Sequence, residues 1–520
     1  MSYPAVSCGY QNDAIPIVPK TSPPECFYRG SIRTRLDSRL KHAGMTDFGK
    51  EFVNVGKPMD SITNQITEYA ATAKFEDLTP DAIHAATQRL IDSLGCALGA
   101  YDSEPVQIGR RLASGQTAGK YPGRVLCYGD QVPAEAATFI NSAMIRNLDF
   151  NDRYPGGHPS DCLGALLALA GAMKVDGKHF LASMTVVYEI FARLSDAAKL
   201  SRQGWDQGYA IGIATAAGVC NLLRLGADAT AHAVGIAATA NLPLRVTRSG
   251  ELTPWKNVAT AYAARDGLFA ALLAAEGMSG PGNAFEGRNG LWEKVTGPFE
   301  LAPFPNRGGA YLTPRVQLKY WPIETNGQPA VWAALELRAK VDPKDLRQID
   351  VLTSKFTWFE IGSEPEKWDP HTRETADHSL PYIFARTLID GSLRVSSFND
   401  TAVLDPTLRP LMNMIKVIVD DEIETLSREK TILRVVATSA NGDQHKVEVV
   451  NPLGHPDNPM QDSHIEEKFF ALAETVLGKH RCRTTLDRWW NVAGAGNVSE
   501  LIQLLDLEPA VKADIQANIS

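Results

Sequence analysis

The stretch "GYAIGIATAAGVCNLLRLG", residues 208–226, decides the fold. Its apolar residues run nearly all round a helix instead of along one stripe. That pattern belongs to a helix buried on every side. Alanine and glycine supply most of the surface, so neighbouring helices can approach closely. The final glycine is a helix stop. Working outward, "DAIHAATQRLIDSLGCALGA" (81–100) follows a Thr-Pro and has helical spacing. "HFLASMTVVYEIFARLSDAAKL" (179–200), "DATAHAVGIAATAN" (228–241) and "NVATAYAARDGLFAALLAAEGM" (257–278) repeat the texture. Residues from about 60 to 300 therefore read as a helical domain with a buried central layer.

The texture changes near residue 314. "RQIDVLTSKF" (347–356) alternates as a strand does, after the helix "PAVWAALELRAKV" (329–341). "TILRVVATSANGDQHKVEVV" (431–450) is two alternating runs around Asn441-Gly442, a hairpin signal. Helix returns with "IEEKFFALAETVLG" (465–478) and "VSELIQLLDL" (498–507). The expected class is mainly α with an α+β second domain. Residues 59–313 plus 456–520 form a large all-helical domain, and 314–455 a smaller α+β lid domain. Residues 1–58, proline-rich and then basic, read as a poorly ordered N-terminal extension. Asp13, Glu25 and Asp37 within them argue against a mitochondrial presequence.

The chain has 520 residues and a net charge of -8, which argues against a nucleic-acid partner. No apolar run reaches the roughly 18 residues of a bilayer span, so no membrane partner is expected. Seven widely spaced cysteines without a CxxC pair suggest a reducing compartment. There is no GxGxxG after a strand, no P-loop and no GxSxG elbow.

Four charged clusters interrupt the apolar pattern. "LDFNDRYPGGHPSD" (148–161) sets Asp149, Asn151, Asp152, His158 and Asp161 around two glycines. Its spacing fits no common metal template. It reads as a polar loop whose end caps the next helix, with a histidine able to move a proton near neutral pH. "PLRVTRSGELTPWKN" (243–257) carries Arg245, Arg248 and Lys256, a carboxylate-binding set unless it is a solvated loop. Lys319 lies in "VQLKYWP" (316–322) at the domain boundary. "DPHTRETADHSLPYI" (369–383) carries Arg373, Glu374, Asp377 and His378, and reads equally as a solvated helix start.

Together with "RLIDSLGCALGA", "NSAMIRNLDFND", "GHPSD", "GWDQG", "FEGRNGLWEKV", "LKYWP" and "GHPDNPM", these clusters make the chain resemble the MmgE/PrpD family from about residue 60 onward. That family includes 2-methylcitrate dehydratases and cis-aconitate decarboxylases. The resemblance implies a helical domain with an α+β lid, a homodimer, and no metal, cofactor or iron–sulfur cluster. It implies a site between domain and lid, with catalytic positions at Asp149, His158, Lys256 and Lys319. Asp206, Arg245, Arg248, Arg373 and His378 are expected to bind substrate. Asp206, where the decarboxylase branch carries histidine, resembles the dehydratase branch. After the lid lysine the family's "PAEYHSQ" becomes Pro322-Ile323-Glu324-Thr325-Asn326-Gly327-Gln328 here. The activity implied is dehydration of 2-methylcitrate or a related tricarboxylate, within propionate catabolism by the methylcitrate cycle. The compartment implied is the cytoplasm, or the mitochondrial matrix in a eukaryote. A decarboxylase, a lyase or isomerase acting on another polycarboxylate, and a non-catalytic ligand binder are the alternatives. In the expected mechanism Asp149 orients His158 or is itself the base, while the lysines and arginines hold carboxylates.

Overall fold

The computed structural model describes residues 59–306 and 308–508; the extension expected over 1–58 lies outside the described residues. Helices dominate to residue 275: α1 (Ser61–Thr72), α2 (Pro80–Gly99), α3 (Glu104–Ala113), then α4 (Ala134–Arg146) after a short hairpin of β1 (Pro122–Arg124) and β2 (Gln131–Pro133). They continue as α5 (Leu163–Ala172), α6 (Gly177–Ala198), α7 (Gly208–Leu222), α8 (Ala227–Ala240) and α9 (Trp255–Ala275). All residues of α7 are buried. α7 lies against α6, α8 and α9, and α4 packs on α5 and α9, so these helices are the central layer. Close approach explains the small residues. A Cβ at Gly267 on α9 would stand 2.3 Å from the Gly212 carbonyl oxygen on α7. α9 corrects the expectation that no segment matches a membrane span, since by length and composition it does. Two-thirds of its apolar window is packed inside this layer.

The smaller lobe has a four-stranded sheet in the order β4-β3-β5-β6, from β3 (Leu346–Thr353), β4 (Ile415–Val419), β5 (Ile432–Ser439) and β6 (Gln444–Val450). β3 runs parallel to β4 and antiparallel to β5. Leu346, Ile349, Val351, Leu433, Val435, Ala437 and Val447 face α10 (Gln328–Lys340) and α13 (Leu380–Asp390) in one apolar core. Between them lie α11 (Lys355–Ile361) and the single turn α12 (Arg373–Ala376). The β5–β6 hairpin forms, but not through a two-residue loop. Gly442 N–H bonds Ser439 O at 3.0 Å and Ser439 N–H bonds Asp443 O at 2.9 Å. Only Gly442 takes a positive φ, +91°. This is a type I turn closed by a left-handed glycine, the three-residue solution.

The helical core reaches Leu318; the lid core starts at Ile323 and ends at Val447; the helical core resumes at Met460. The helix Asp462–Leu477 packs on α2. Lys319 thus stands on the crossing between two cores. The five described cysteines are buried.

Candidate active site

Asp149 follows α4 and adopts a left-handed backbone, φ +49°. Asp tolerates that region better than most residues. The turn brings its carboxylate back onto Arg146, three residues earlier, in a buried ion pair. Lys319 Nζ donates to Asp149 Oδ1 at 3.0 Å and to its carbonyl at 2.8 Å. Lys256 Nζ, wholly buried at the start of α9, lies 3.4 Å from Asp149 Oδ2 and 3.2 Å from Asp377 Oδ1. His378 Nδ1 donates to Asp377 Oδ1 at 2.5 Å. One carboxylate therefore gathers three cations from separate parts of the chain, and Asp377 links them to the lid.

The polar loop is not on the surface. Asn151, Asp152, Ser160 and Asp161 are fully buried, and only Pro155 and Gly156 at its tip are exposed. Asp161 does not cap the next helix. A 3₁₀ turn, Pro159–Cys162, intervenes, and the acceptor for Ser160 N–H is Asp152 Oδ1 at 3.2 Å. The ring of His158 is oriented by a backbone carbonyl and not by Asp149, as its Nδ1 donates to Asp152 O at 2.5 Å. That bond fixes the proton on Nδ1 and leaves Nε2 with its lone pair. His158 N–H donates to Gln207 Oε1 at 2.7 Å. The same oxygen would sit 1.7 Å from a Cβ at position 157, so only glycine fits there.

Charge placement sets the protonation states. Burial would raise the Asp149 carboxyl, but Arg146, Lys256, Lys319 and His378 outweigh it and hold it well below the usual carboxylate range. Burial, then repulsion from Arg146 and Lys319, drives His158 well below an ordinary histidine, so the ring is neutral. Burial and Lys256 push His378 down to about 3. Burial lowers Lys319 to about 8, with Asp149 opposing the shift. Under the loop, burial lifts Asp161 to about 7 and Asp152 to about 6.

These groups border a cavity of about 970 Å³ between the helical domain and the lid. Asp149, His158, Lys319, Arg245, Arg248 and His378 line it. Lys256 and Asp206 lie behind it. Asp206, 1% exposed, binds Arg248 Nε through Oδ2 at 2.6 Å and accepts from Gly208 N–H at 3.2 Å. It holds Arg248, which lines the cavity. Arg373 lines no part of the cavity, and its Nε and Nη2 have no hydrogen-bond partner. Asp149, Asp377 and His378 hold donor atoms within 4.8 Å of one another, close enough for a metal ion. The Lys256 ammonium already serves both carboxylates, and a divalent cation beside it would be repelled.

Sequence reasoning missed Arg146, Arg153, Gln207 and Lys468. Lys468, on the helix Asp462–Leu477, donates to Asp92 Oδ1 (2.6 Å), Phe150 O (2.7 Å) and Lys319 O (2.9 Å). It ties the backbone beside Asp149 to the backbone of Lys319. The departure at 325–326 has a local consequence. Asn326 donates to Glu324 through its N–H at 2.6 Å and its Nδ2 at 2.9 Å. Glu324 lines the cavity with its carboxyl raised by burial, against the pull of Arg153 and Lys319.

Residues 64–303 match the MmgE/PrpD N-terminal domain and residues 321–491 the MmgE/PrpD C-terminal domain. The chain belongs to the MmgE/PrpD family. The helical domain and α+β lid are that family's two-domain architecture. Among its relatives, the cis-aconitate decarboxylase-like protein oryM of Aspergillus oryzae is 26% identical, over 87% of this chain and 98% of its own length. The alkylcitrate dehydratase phiI of a fungal species is 29% identical, over 73% of this chain and 81% of its own. The 2-methylcitrate dehydratase of Cupriavidus necator is 28% identical, over 76% and 86%. Dehydratases are lyases, and the chain is an enzyme of this dehydratase family.

Proposed function

We propose that this enzyme is a metal-independent hydro-lyase that dehydrates 2-methylcitrate or a related tricarboxylate to the cis-aconitate-type product. The observation that carries the reading is the charge of the cavity. Seven cations (Arg146, Arg153, Arg202, Arg245, Arg248, Lys319 and Lys355) line it against three carboxylates, in a chain of net charge -8. Such a surplus suits a trianion. Neutral His158 takes the proton beside a substrate carboxylate through Nε2. The arginines hold the charge that develops on that carboxylate. The Lys319 ammonium gives a proton to the departing hydroxide, which leaves as water. Asp149 is tied to three cations and acts as their organiser, not as the base. Dehydratase names among the relatives support the reaction class. A homodimer acting in the methylcitrate cycle, in cytoplasm or mitochondrial matrix, is part of the same reading.

Incubation with 2-methylcitrate, citrate and cis-aconitate, followed by absorbance of the conjugated product, should show turnover of at least one hydroxy acid. Release of CO₂ from cis-aconitate, without hydration or dehydration, would replace this reading by decarboxylation, the activity in the name of the oryM relative.

A pH profile tests Lys319 separately. The ammonium is the active form and its pKa is about 8. kcat/KM should therefore fall as pH rises through about 8. In Lys319→Arg the cation persists to high pH, so that limb should disappear while the overall rate drops. An unchanged limb would assign it to another group.

A further inference from the structure

The Asp149–Lys319 cluster occupies the inner part of the cavity. Asp149 and Lys319 are about 1% exposed, whereas the mouth is bordered by Phe356 and Phe359 of α11, 52% and 59% exposed. These rings are three residues apart and share one helix face. Neither joins the lid core, to which α11 contributes Ile361. Glu360, on the same helix, pairs with Arg245 from the opposite wall and holds this face over the opening. Two aromatic rings thus stand more than half exposed beside a cationic pocket, outside the apolar core of the lid. A cavity of about 970 Å³ is at the upper end for small-molecule sites. It is far more than a tricarboxylate bearing one methyl group fills.

We infer that the mouth is a subsite for an apolar chain on the anionic substrate, so the substrate class is 2-alkylcitrates with chains longer than methyl. This rests on the tricarboxylate reading above. The carboxylates meet the inner cations, and the chain at the methyl-bearing carbon runs outward between Phe356 and Phe359. The occupant is amphipathic because the cavity is: cations and apolar rings line one continuous space. Lys355 and Arg202 flank the mouth and leave its rim polar.

The test is a series of 2-methyl-, 2-butyl- and 2-hexylcitrate. For the wild type, kcat/KM should rise about fourfold per methylene, the scale of transferring one methylene from water. The hexyl-to-methyl ratio should exceed about 30. In the double variant Phe356→Ser/Phe359→Ser the ratio should fall at least tenfold. Because each ratio is taken within one protein, it is independent of the fraction folded. A flat or falling series in the wild type, with 2-methylcitrate still dehydrated, overturns the subsite and leaves the dehydratase reading standing. So does an unchanged ratio in the double variant, or a flat series with rings that prove to be covered by a second copy in sedimentation. Calorimetry with 2-alkyltricarballylates, which have no hydroxyl to lose, separates the two ideas. If no citrate is turned over but affinity climbs with chain length, the dehydratase reading fails and the subsite holds. If affinity is also flat, the subsite falls.

Discussion

His158→Asn is expected to lower kcat by about 10²–10⁴-fold, the usual contribution of a positioned general base, with little change in thermal stability. The side chain makes one described hydrogen bond, from Nδ1 to the Asp152 carbonyl. An asparagine amide can make the same bond, and the His158 N–H to Gln207 is backbone and survives. What asparagine lacks is the basic lone pair at the far side of the ring. The loss should be equally deep from pH 6 to 8. Burial and the charges of Arg146 and Lys319 keep the wild-type ring neutral across that range, so no histidine ionisation is removed by the substitution. Steady-state rates on the best substrate of the screen, with a melting curve of the same preparation, decide the matter. A kcat within a few-fold of wild type would take His158 out of the proton transfer and leave His378, also neutral and also lining the cavity, as the base.

The buried helical layer was legible because α7 and α9 carry apolar residues on all sides, a pattern that few other environments accept. The sheet was legible from alternation in β3, β5 and β6. The loop chemistry of the hairpin was not, since Asn-Gly serves both a two-residue turn and a left-handed glycine closure. At the site, residue patterns alone picked out the charged stretches, and family resemblance singled out Asp149, His158, Lys256 and Lys319 within them. Spacing could not show that Lys256, 107 residues after Asp149, and Lys319, 170 residues after, meet the same carboxylate. Nor could composition show that "LDFNDRYPGGHPSD" is buried. A polar loop goes inside only when its partners come from elsewhere, here Tyr188 and Gln207. Arg146 reads as an ordinary basic residue at a helix end, yet it is 1% exposed. Its place three residues before Asp149 was the available clue. Lys468 hides on the apparent polar face of an amphipathic helix. Arg373 belongs to the same charge run as Asp377 and His378, but it does not line the cavity that His378 borders.

Asp149→Asn should cost about 3–5 kcal/mol of stability, the range for removing one partner of a buried ion pair. The substitution is nearly isosteric, so packing is unchanged and the effect is electrostatic. It leaves the buried Arg146, Lys256 and Lys319 cations with one carboxylate fewer. Lys256 retains Asp377 at 3.2 Å, Lys319 retains only the backbone carbonyl at 2.8 Å, and Arg146 retains Asp161 at 3.7 Å. The excess positive charge is thus greatest at Lys319. Adding Lys319→Met should recover part of the lost stability, because an unpaired buried ammonium is replaced by an apolar chain of similar length. Activity should not recover, since the proton donor is gone in the double variant. The pH dependence carries a sign. The folded Asp149 carboxyl is held below its unfolded value, so its contribution is complete above the ordinary carboxylate range and is lost as pH falls through the depressed folded value. The gap in urea midpoint between wild type and Asp149→Asn should therefore be full at pH 7 and narrow on acidification. A gap that stays constant to low pH would mean that the asparagine acts through packing. No gap at pH 7 would mean that Asp149 does not hold the three cations together in solution, and with it would go the pre-set cationic pocket on which the tricarboxylate reading depends.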